Sequence, residues 1–169
     1  ERQIENMLDI GAGAGRMLEI FGPHIGRGEG IDLSPEMLAI ARSNLDQAGM
    51  SHCTVRQADI YQIPFAADSF DAVTVHQVLH FLDQPAQAIA EAARVLKDGG
   101  RLLLADFAPH DLDQLRQQHN HRRLGFGDDE ITAWFEAAGL VITQRRELAG
   151  EPLTVSLWLG GKQQGTVPE

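Results

Sequence analysis

The chain has 169 residues, of which 43% are hydrophobic and 22% charged, and these proportions are ordinary for a globular protein with a well-filled core. Its formal net charge of −10 argues against direct binding of nucleic acid, because phosphate contacts need clustered lysine and arginine. No apolar run approaches the roughly 20 residues of a membrane helix, and a single cysteine, Cys53, excludes an internal disulfide framework and fits a reducing cytoplasm.

Strand-like and helix-like segments alternate along the chain, which predicts βαβ units and a doubly wound α/β sheet. In chain order we expect strand 6–10, helix 15–21, strand 28–31, helix 35–48, strands 52–57 and 70–76, helix 84–97, strand 101–107, helix 128–138 and strands 140–147 and 153–159. The sheet should be mostly parallel and close with an antiparallel strand. We expect 108–127 to be a polar loop and the tail after Gly160 to be frayed.

The most informative stretch is an apolar strand that ends in Asp9, followed by a turn through Gly11, Gly13 and Gly15 and then by Arg16. A strand, a glycine turn and a helix start form the nucleotide-binding corner of doubly wound sheets. The dinucleotide fingerprint would need its third glycine where this chain has Arg16. The pattern therefore indicates a ligand-binding turn that departs from the dinucleotide type.

The carboxylate at the end of the first strand indicates the charge of the ligand. A carboxylate about 5 Å from one phosphate charge costs roughly 3 kcal/mol at an effective dielectric near 20, and beside an ammonium the sign reverses. Asp9 therefore favours a cationic ligand, and S-adenosylmethionine, which carries a sulfonium and an ammonium, is one. The alternative is an empty glycine turn in which Asp9 caps a backbone amide.

Acidic residues end three successive predicted strands, namely Asp9, Asp32 and Asp59. Ligands of open α/β sheets bind outside these carboxyl ends, where the strand order reverses. Asp32 lies 21 residues beyond Gly11, which is the spacing of a carboxylate that binds both hydroxyls of an adenosine ribose. A helix cap that competes with Ser34 is the alternative for Asp32, and an ordinary loop start is the alternative for Asp59.

Five stretches resemble, in order and spacing, the motifs of class I S-adenosylmethionine-dependent methyltransferases: 8–16, 30–38, 57–65, 69–73 and 94–102. Within that family the likeness is to the ubiquinone/menaquinone-biosynthesis-like branch, the type 11 methyltransferase domain. The segment 107–126 resembles a subgroup fused behind an ArsR-type winged-helix regulator. The resemblance implies a Rossmann-like fold in one domain over 1–169, truncated at its amino end, since helices usually precede the first strand in this family.

The resemblance also implies a set of cofactor-binding residues: Asp9, Gly11, Gly13, Asp32, Leu33, Met37, Asp59, Ile60 and His76. The backbone at Gly11 and Gly13 would pass beside the methionine part of the cofactor, and Asp9 would lie near its ammonium, directly or through water. His76, at the end of the fourth strand, would face the methionine portion and the acceptor. A capped strand end is the alternative for His76.

The remaining residues of that set are implied to bind the adenosine part. Asp32 would bind the ribose hydroxyls, and Leu33 and Met37 would pack on the adenine. Asp59 would accept a hydrogen bond from the adenine amino group, while the amide of Ile60 donates to the ring. The cofactor is thus expected to be S-adenosyl-L-methionine, with S-adenosyl-L-homocysteine as the product.

Methyl transfer from a sulfonium mainly needs alignment of the reacting atoms, so a general base is optional. The candidates are His76, taken as the catalytic residue, and His80, His119 and His121, because an imidazole pKa near 6.5 suits proton removal at neutral pH. His80 could instead pack beside Phe81, and the spacing of His119 and His121 equally fits a solvated loop. No cysteine or carboxylate completes a metal site near these histidines, so we expect no metal.

The sequence lacks features that two classes of methyl acceptor would require. The fourth strand does not lead into an Asn/Asp-Pro-Pro-Tyr motif, which disfavours amino groups of DNA bases or of protein glutamine. Arsenite would require several thiols, and Cys53 is alone. We therefore predict a cytoplasmic methyltransferase that acts on a small molecule at C, O or N, without direct nucleic-acid or membrane binding and with a homodimer left open.

Two other functions compete with this prediction. One is an S-adenosylmethionine-sensing module of a transcriptional regulator, which would bind the cofactor without turnover. The other, less favoured, is an NAD-dependent oxidoreductase, against which Asp9 and Arg16 both argue.

Overall fold

The structure is a computed structural model that describes residues 3–163. Its strands are β1 (Ile4–Ile10), β2 (Ile25–Asp32), β3 (Cys53–Gln57), β4 (Phe70–His76), β5 (Leu96–Phe107), β6 (Leu140–Leu148) and β7 (Val155–Lys162). Its α-helices are α1 (Arg16–Phe21), α2 (Pro35–Gln47), α3 (Pro85–Val95), α4 (Gln114–Gln118) and α5 (Asp128–Ala137), and two short 3-10 helices cover Gly22–His24 and Leu79–Phe81. None of these helices has the length and hydropathy needed to cross a bilayer.

The seven strands form one sheet in the order β3-β2-β1-β4-β5-β7-β6. The pairs from β3 through β5 are parallel, whereas β7 pairs antiparallel with both β5 and β6. The strand order reverses between β1 and β4, which lie side by side, and this is the switch point at which doubly wound sheets bind ligands. The predicted fold class, a mostly parallel doubly wound sheet closed by an antiparallel strand, is confirmed.

Several element boundaries differ from the prediction. β5 begins at Leu96, five residues before the predicted start at 101, because Leu96 already pairs with Phe70, ahead of a register irregularity between Phe70 and Ala72. The polar segment 108–127 contains the short helix α4. β7 continues to Lys162, so the expected fraying does not start at Gly160, and 164–169 lie outside the described residues.

Apolar side chains cover both faces of the sheet. α1 and α2 pack on one face, where Leu18, Leu38 and Leu45 are buried against β2 and β3. α3 and α5 pack on the other, where Ile89 and Phe135 are buried against β5 and β6. Burial of a large apolar side chain contributes about 1.5–3 kcal/mol. The resulting three-layer packing fixes the carboxyl ends of the parallel strands at a single edge.

Gly28 and Gly30 of β2 allow α1 and the glycine turn to approach the sheet, because a Cβ at Gly28 would lie 2.9 Å from a Leu18 methyl carbon. A Cβ at Gly30 would lie 2.8 Å from the Ala12 Cβ and 2.9 Å from a Val55 methyl carbon. Both distances are shorter than real Cβ contacts, so a side chain at this position would push the turn away from the strand.

We expect Gly30→Ala to lower the free energy of unfolding by about 1–3 kcal/mol, the usual cost of overpacking a filled core. Urea denaturation measures this change. The matched control is Gly161→Ala, because Gly161 also lies in a strand, β7, and a Cβ added there would meet only the Gly100 carbonyl oxygen, at an ordinary contact distance of 3.7 Å. Equal effects of the two substitutions would contradict this account of the packing.

Candidate functional site

The glycine turn between β1 and α1 is held close to β2 by backbone hydrogen bonds. The amides of Gly11 and Ala12 donate to the Ile31 carbonyl oxygen at 2.8 and 2.9 Å. Gly11, Gly13 and Gly15 have φ values of 72°, 52° and 85°, a region that is readily open to glycine alone. A Cβ on Gly11 would also come within 2.5 Å of a Val78 methyl carbon. The turn therefore presents bare backbone beyond the strand end.

Asp32 fixes this turn against the start of α2. Its Oδ2 accepts a hydrogen bond from the Gly13 amide and its Oδ1 accepts one from the Ser34 amide, each at 2.9 Å. The helix cap itself is Ser34, whose Oγ accepts from the Met37 amide at 3.2 Å. An ionised carboxylate has about four acceptor positions, so Asp32 retains capacity for two further donors.

A cleft of about 590 Å³ lies over the carboxyl ends of β1, β2 and β4. Sites of roughly 300–1,000 Å³ are typical for small ligands and cofactors. Six of the predicted residues line this cleft: Gly11, Gly13, Asp32, Leu33, Ile60 and His76. Leu33 is 59% exposed, which leaves an apolar side chain uncovered at the rim.

Asp9, Met37 and Asp59 do not line the cleft. Met37 lies behind the glycine turn, with its Cε 3.7 Å from where a Gly13 Cβ would be. Asp59 is exposed, and its Oδ1 accepts a hydrogen bond from the Tyr61 amide at 2.9 Å. This bond closes a local turn that also positions Ile60, which does line the cleft.

Asp9 is only 2% exposed. Burial raises its pKa from 3.8 to about 7; the Asp32 charge adds to this rise, and the hydrogen bond from Thr74 opposes it. The Thr74 hydroxyl donates to Asp9 Oδ1 at 2.7 Å. A buried carboxyl with a pKa near neutrality is costly to ionise unless a positive charge comes close. This carboxyl lies two residues before Gly11, directly before the turn.

His76 and Gln77 form the cleft wall at the end of β4. Burial lowers the pKa of His76, and the Asp106 carboxylate partly opposes that shift. Gln77 has φ 54°, an uncommon backbone conformation for a residue with a side chain, and such strain concentrates at functional sites. No feature of the sequence indicates the positive φ of Gln77, because glutamine has no preference for this backbone conformation.

Sequence reasoning missed the pairing of His80 with Asp106. His80 Nδ1 lies 2.8 Å from Asp106 Oδ1, and the two residues are 2% and 0% exposed. A signal was available, since Asp106 stands near the carboxyl end of the predicted strand 101–107, as Asp9 and Asp32 stand at the ends of the first two strands. His80 also packs beside Phe81, with 4.1 Å between ring centroids.

His119 and His121 differ in their exposure to solvent. His119 is exposed, but His121 is 8% exposed, so the solvated-loop alternative is wrong for His121. The amides of Arg122 and Arg123 donate to the His80 carbonyl oxygen at 2.8 and 3.2 Å, and these bonds pull the segment inward. Within residues 3–163, no three His, Cys, Asp or Glu side chains are arranged to hold a metal ion.

Residues 8–104 match the family described as a methyltransferase domain. The chain is 37% identical over 125 residues to the uncharacterized methyltransferase YcgJ of Bacillus subtilis, covering 72% of this chain and 49% of that protein. The crystal structure of YcgJ superposes with a TM-score of 0.84 at 27% identity, over 97% of this chain and 94% of that one.

One further relative and one further solved structure extend the comparison. The demethylmenaquinone methyltransferase of Clavibacter sepedonicus is 34% identical over 190 aligned positions, which cover 95% of this chain and 75% of that protein. Phosphoethanolamine N-methyltransferase 2 of Haemonchus contortus, solved with S-adenosyl-L-methionine, shares the fold, with a TM-score of 0.83 at 16% identity over 97% of this chain and 50% of that one.

The fold and the matched residues together define a class I, Rossmann-like methyltransferase domain. The chain belongs to the type 11 branch of that family. It spans about half the length of YcgJ and smaller fractions of two other curated relatives, 38% and 30%.

Proposed function

We propose that this chain binds S-adenosyl-L-methionine in the cleft and transfers its methyl group to a small-molecule acceptor. The observation that carries the proposal is the glycine turn: bare backbone faces the cleft, the Asp32 carboxylate lines the cleft beside it, and the Asp9 carboxyl is buried behind it. A phosphate would be repelled by this pair, whereas a cationic ligand is stabilised.

The residues present fit that cofactor. The cleft of about 590 Å³ lies within the range typical of small-ligand and cofactor sites, and the Gly11 backbone borders it without a side chain. Asp32 would accept hydrogen bonds from the ribose hydroxyls while its existing bonds keep the carboxylate oriented. Leu33 would cover one face of the adenine, and the Ile60 amide would meet its edge.

Asp9 and Met37 would act from behind the turn. The buried carboxyl of Asp9 would stabilise the ammonium of the cofactor across the Gly11 backbone, and Met37 would support Gly13 from the α2 side. Asp59, which is exposed, would reach the adenine amino group at the rim of the cleft.

The bound cofactor supplies an electrophilic methyl group, and the protein supplies alignment and exclusion of water. His76 would stand beside the acceptor. Because burial lowers its pKa, it would be neutral at pH 7 and able to accept a proton from an acceptor that must lose one. Relatives named for a small acceptor, demethylmenaquinone, support a small-molecule substrate.

A binding and turnover experiment tests the proposal. Calorimetry should show S-adenosylhomocysteine binding, and excess NADH should not displace it. Labelled S-adenosylmethionine should then transfer its methyl group into a metabolite extract. Displacement by NADH would contradict the cofactor assignment, whereas binding without transfer would favour the sensing module. Fusion to a regulator, a cytoplasmic location, a single domain over 1–169 and a homodimer stay predictions.

A further inference from the structure

The loop 58–69, which joins β3 to β4, carries two residues of the proposed cofactor site, Asp59 and Ile60. Ile60 lines the cleft, and its backbone amide is the group proposed to meet the edge of the adenine. Loop backbone is not held by a regular ladder of hydrogen bonds, so turns, side chains or water must satisfy its polar groups. The contacts on either side of Ile60 therefore decide where its amide points.

An ion pair on α3 binds the far side of this loop. Arg94 donates from Nη2 to the Ile63 carbonyl oxygen and from Nη1 to the Phe65 carbonyl oxygen, both at 2.9 Å. The Ile63 amide donates to Glu91 Oε2, also at 2.9 Å. Arg94 also donates to Glu91, from Nε to Oε1 at 2.7 Å and from Nη2 to Oε2 at 3.0 Å. We call Glu91 and Arg94 the α3 clamp.

The bonds within the α3 clamp keep both of its side chains charged. The pKa of Glu91 lies below its usual range, mainly because its carboxylate accepts from Arg94, and the same bonding raises the pKa of Arg94. Two N–H···O bonds between a guanidinium and a carboxylate also fix the orientation of both groups. The α3 clamp therefore presents fixed donors and a fixed acceptor to the loop.

A second guanidinium holds the same stretch from β3. Arg56 Nη2 donates to the Pro64 carbonyl oxygen at 3.0 Å, and its guanidinium carbon lies 4.1 Å from the Phe65 ring centroid. The carbonyl oxygens of the successive residues 63–65 are thus each bound by an arginine. Ile63 itself is 4% exposed, so its side chain anchors the stretch in the core.

Ile60 lies between two such fixed points. On one side, the Ala58 amide donates to the carbonyl oxygen at the end of β2, at 3.1 Å. On the other side, the Tyr61 hydroxyl accepts from the Gln84 amide at 3.1 Å, and the α3 clamp binds both backbone groups of Ile63. The chain between these points is short, so a displacement of Ile63 would be transmitted to the Ile60 amide.

We propose that Glu91 and Arg94 are positioning residues for adenine recognition: by holding the loop, they set the Ile60 amide and the Asp59 carboxylate where these groups meet the base. Neither Glu91 nor Arg94 is among the described residues that line the cleft, so they act through the loop. Groups that are ordered before binding lose less freedom when the ligand arrives. This inference rests on the proposed cofactor, because adenine must enter the cleft.

The test compares S-adenosylhomocysteine with S-inosylhomocysteine, each titrated by calorimetry into the full chain. In the inosine compound a carbonyl oxygen replaces the adenine amino group, and the neighbouring ring nitrogen carries a hydrogen. Its base can therefore neither donate to Asp59 nor accept from the Ile60 amide. We expect the wild-type protein to bind S-adenosylhomocysteine at least about tenfold more tightly than S-inosylhomocysteine, because hydrogen bonds are lost with the second ligand.

Arg94→Met keeps an apolar stem that can pack as the arginine stem does, but it removes the bonds to the loop. Its affinity for S-adenosylhomocysteine should fall about tenfold, while its affinity for S-inosylhomocysteine should change little. The preference for adenine should therefore nearly disappear. Arg94→Lys, which keeps a donor for one loop carbonyl, should restore part of that preference. A role in stability alone would weaken both ligands by the same factor and leave the preference unchanged.

The matched control is Arg27→Met. Arg27 is exposed and also pairs with a glutamate, Glu29, at 2.7 Å, outside the cleft, so its loss should leave both affinities unchanged. If Arg94→Met does not fold, Arg94→Lys and Arg56→Met, which removes the bond to Pro64, decide the matter. An unchanged preference for adenine in the folded variants, or equal binding of the two ligands by the wild-type protein, overturns the inference.

The experiment separates this inference from the proposed function. Binding of S-adenosylhomocysteine to the wild-type protein is measured first. Its absence would refute the cofactor assignment, whereas binding with an adenine preference that does not depend on the α3 clamp would refute the positioning role alone.

Discussion

Replacing Asp32 by alanine is expected to weaken binding of S-adenosylhomocysteine at least 100-fold. Two hydrogen bonds from ribose hydroxyls to a charged carboxylate contribute about 1.5–3 kcal/mol each, and every 1.4 kcal/mol corresponds to a factor of about ten in affinity. The substitution also releases the Gly13 and Ser34 amides, which loosens the turn that the cofactor would contact. Isothermal titration calorimetry measures the loss.

A graded series separates the binding role of Asp32 from its structural role. Asp32→Asn keeps one acceptor oxygen and should show an intermediate loss of affinity. Asp59→Ala should weaken binding by about tenfold, the effect of one hydrogen bond at an exposed site. Asp46→Ala, an exposed carboxylate of α2 outside the cleft, is the control. Unchanged affinity in a folded Asp32→Ala protein would remove Asp32 from the site.

Asp9→Asn is expected to stabilise the ligand-free protein at pH 8 and to weaken cofactor binding. Burial first, and then the Asp32 charge, raises the folded-state pKa of Asp9 from 3.8 to about 7. The folded protein therefore holds a proton between about pH 4 and 7 that the unfolded chain has released. The stability due to this proton is fully present below pH 4 and is lost as the pH rises to 7.

The size of this pH effect follows from the pKa change. A rise from 3.8 to about 7 corresponds to about 4 kcal/mol, at about 1.4 kcal/mol for each tenfold change in proton affinity. Asparagine avoids the buried charge and can still accept from Thr74. Chemical denaturation at pH 5 and pH 8 should show a clearly larger stabilising effect of Asp9→Asn at the higher pH.

The affinity for the cofactor should rise with pH over the range in which the stability of the ligand-free protein falls. The ammonium of the cofactor favours the ionised carboxyl, so wild-type affinity for S-adenosylhomocysteine should rise between pH 6 and 7.5. In Asp9→Asn the affinity should be flat over that range and at least tenfold lower at pH 7.5. Thr74→Val, which removes the hydrogen bond that lowers the Asp9 pKa, should move the rise to higher pH. A wild-type affinity that does not change with pH would contradict the assignment of Asp9.

The sequence predicted the order and type of the main elements because their signals are local. The valine- and threonine-rich β4 was placed at 70–76, as observed, and Ser34-Pro35 marked the start of α2. The strand-end carboxylates and the glycine turn could also be found, since both depend on spacing along the chain. The family resemblance then supplied the roles proposed for these residues.

Other features could not be predicted from local patterns. The start of β5 at Leu96 depends on pairing with Phe70, and the contact between His80 and Asp106 joins residues 26 positions apart. His121 lies on a polar segment whose composition predicts exposure, yet its neighbouring backbone bonds to the His80 carbonyl oxygen and draws it inside.

The sequence by itself thus determined the doubly wound sheet, the glycine turn and the acids that border it, because periodicity, turn residues and spacing act between near neighbours. Only the tertiary structure decided how strongly those groups are buried and which of them meet. The pKa of Asp9 and the contact between His80 and Asp106 depend on side chains brought together from distant parts of the chain, since desolvation and hydrogen bonding are set by packing in three dimensions.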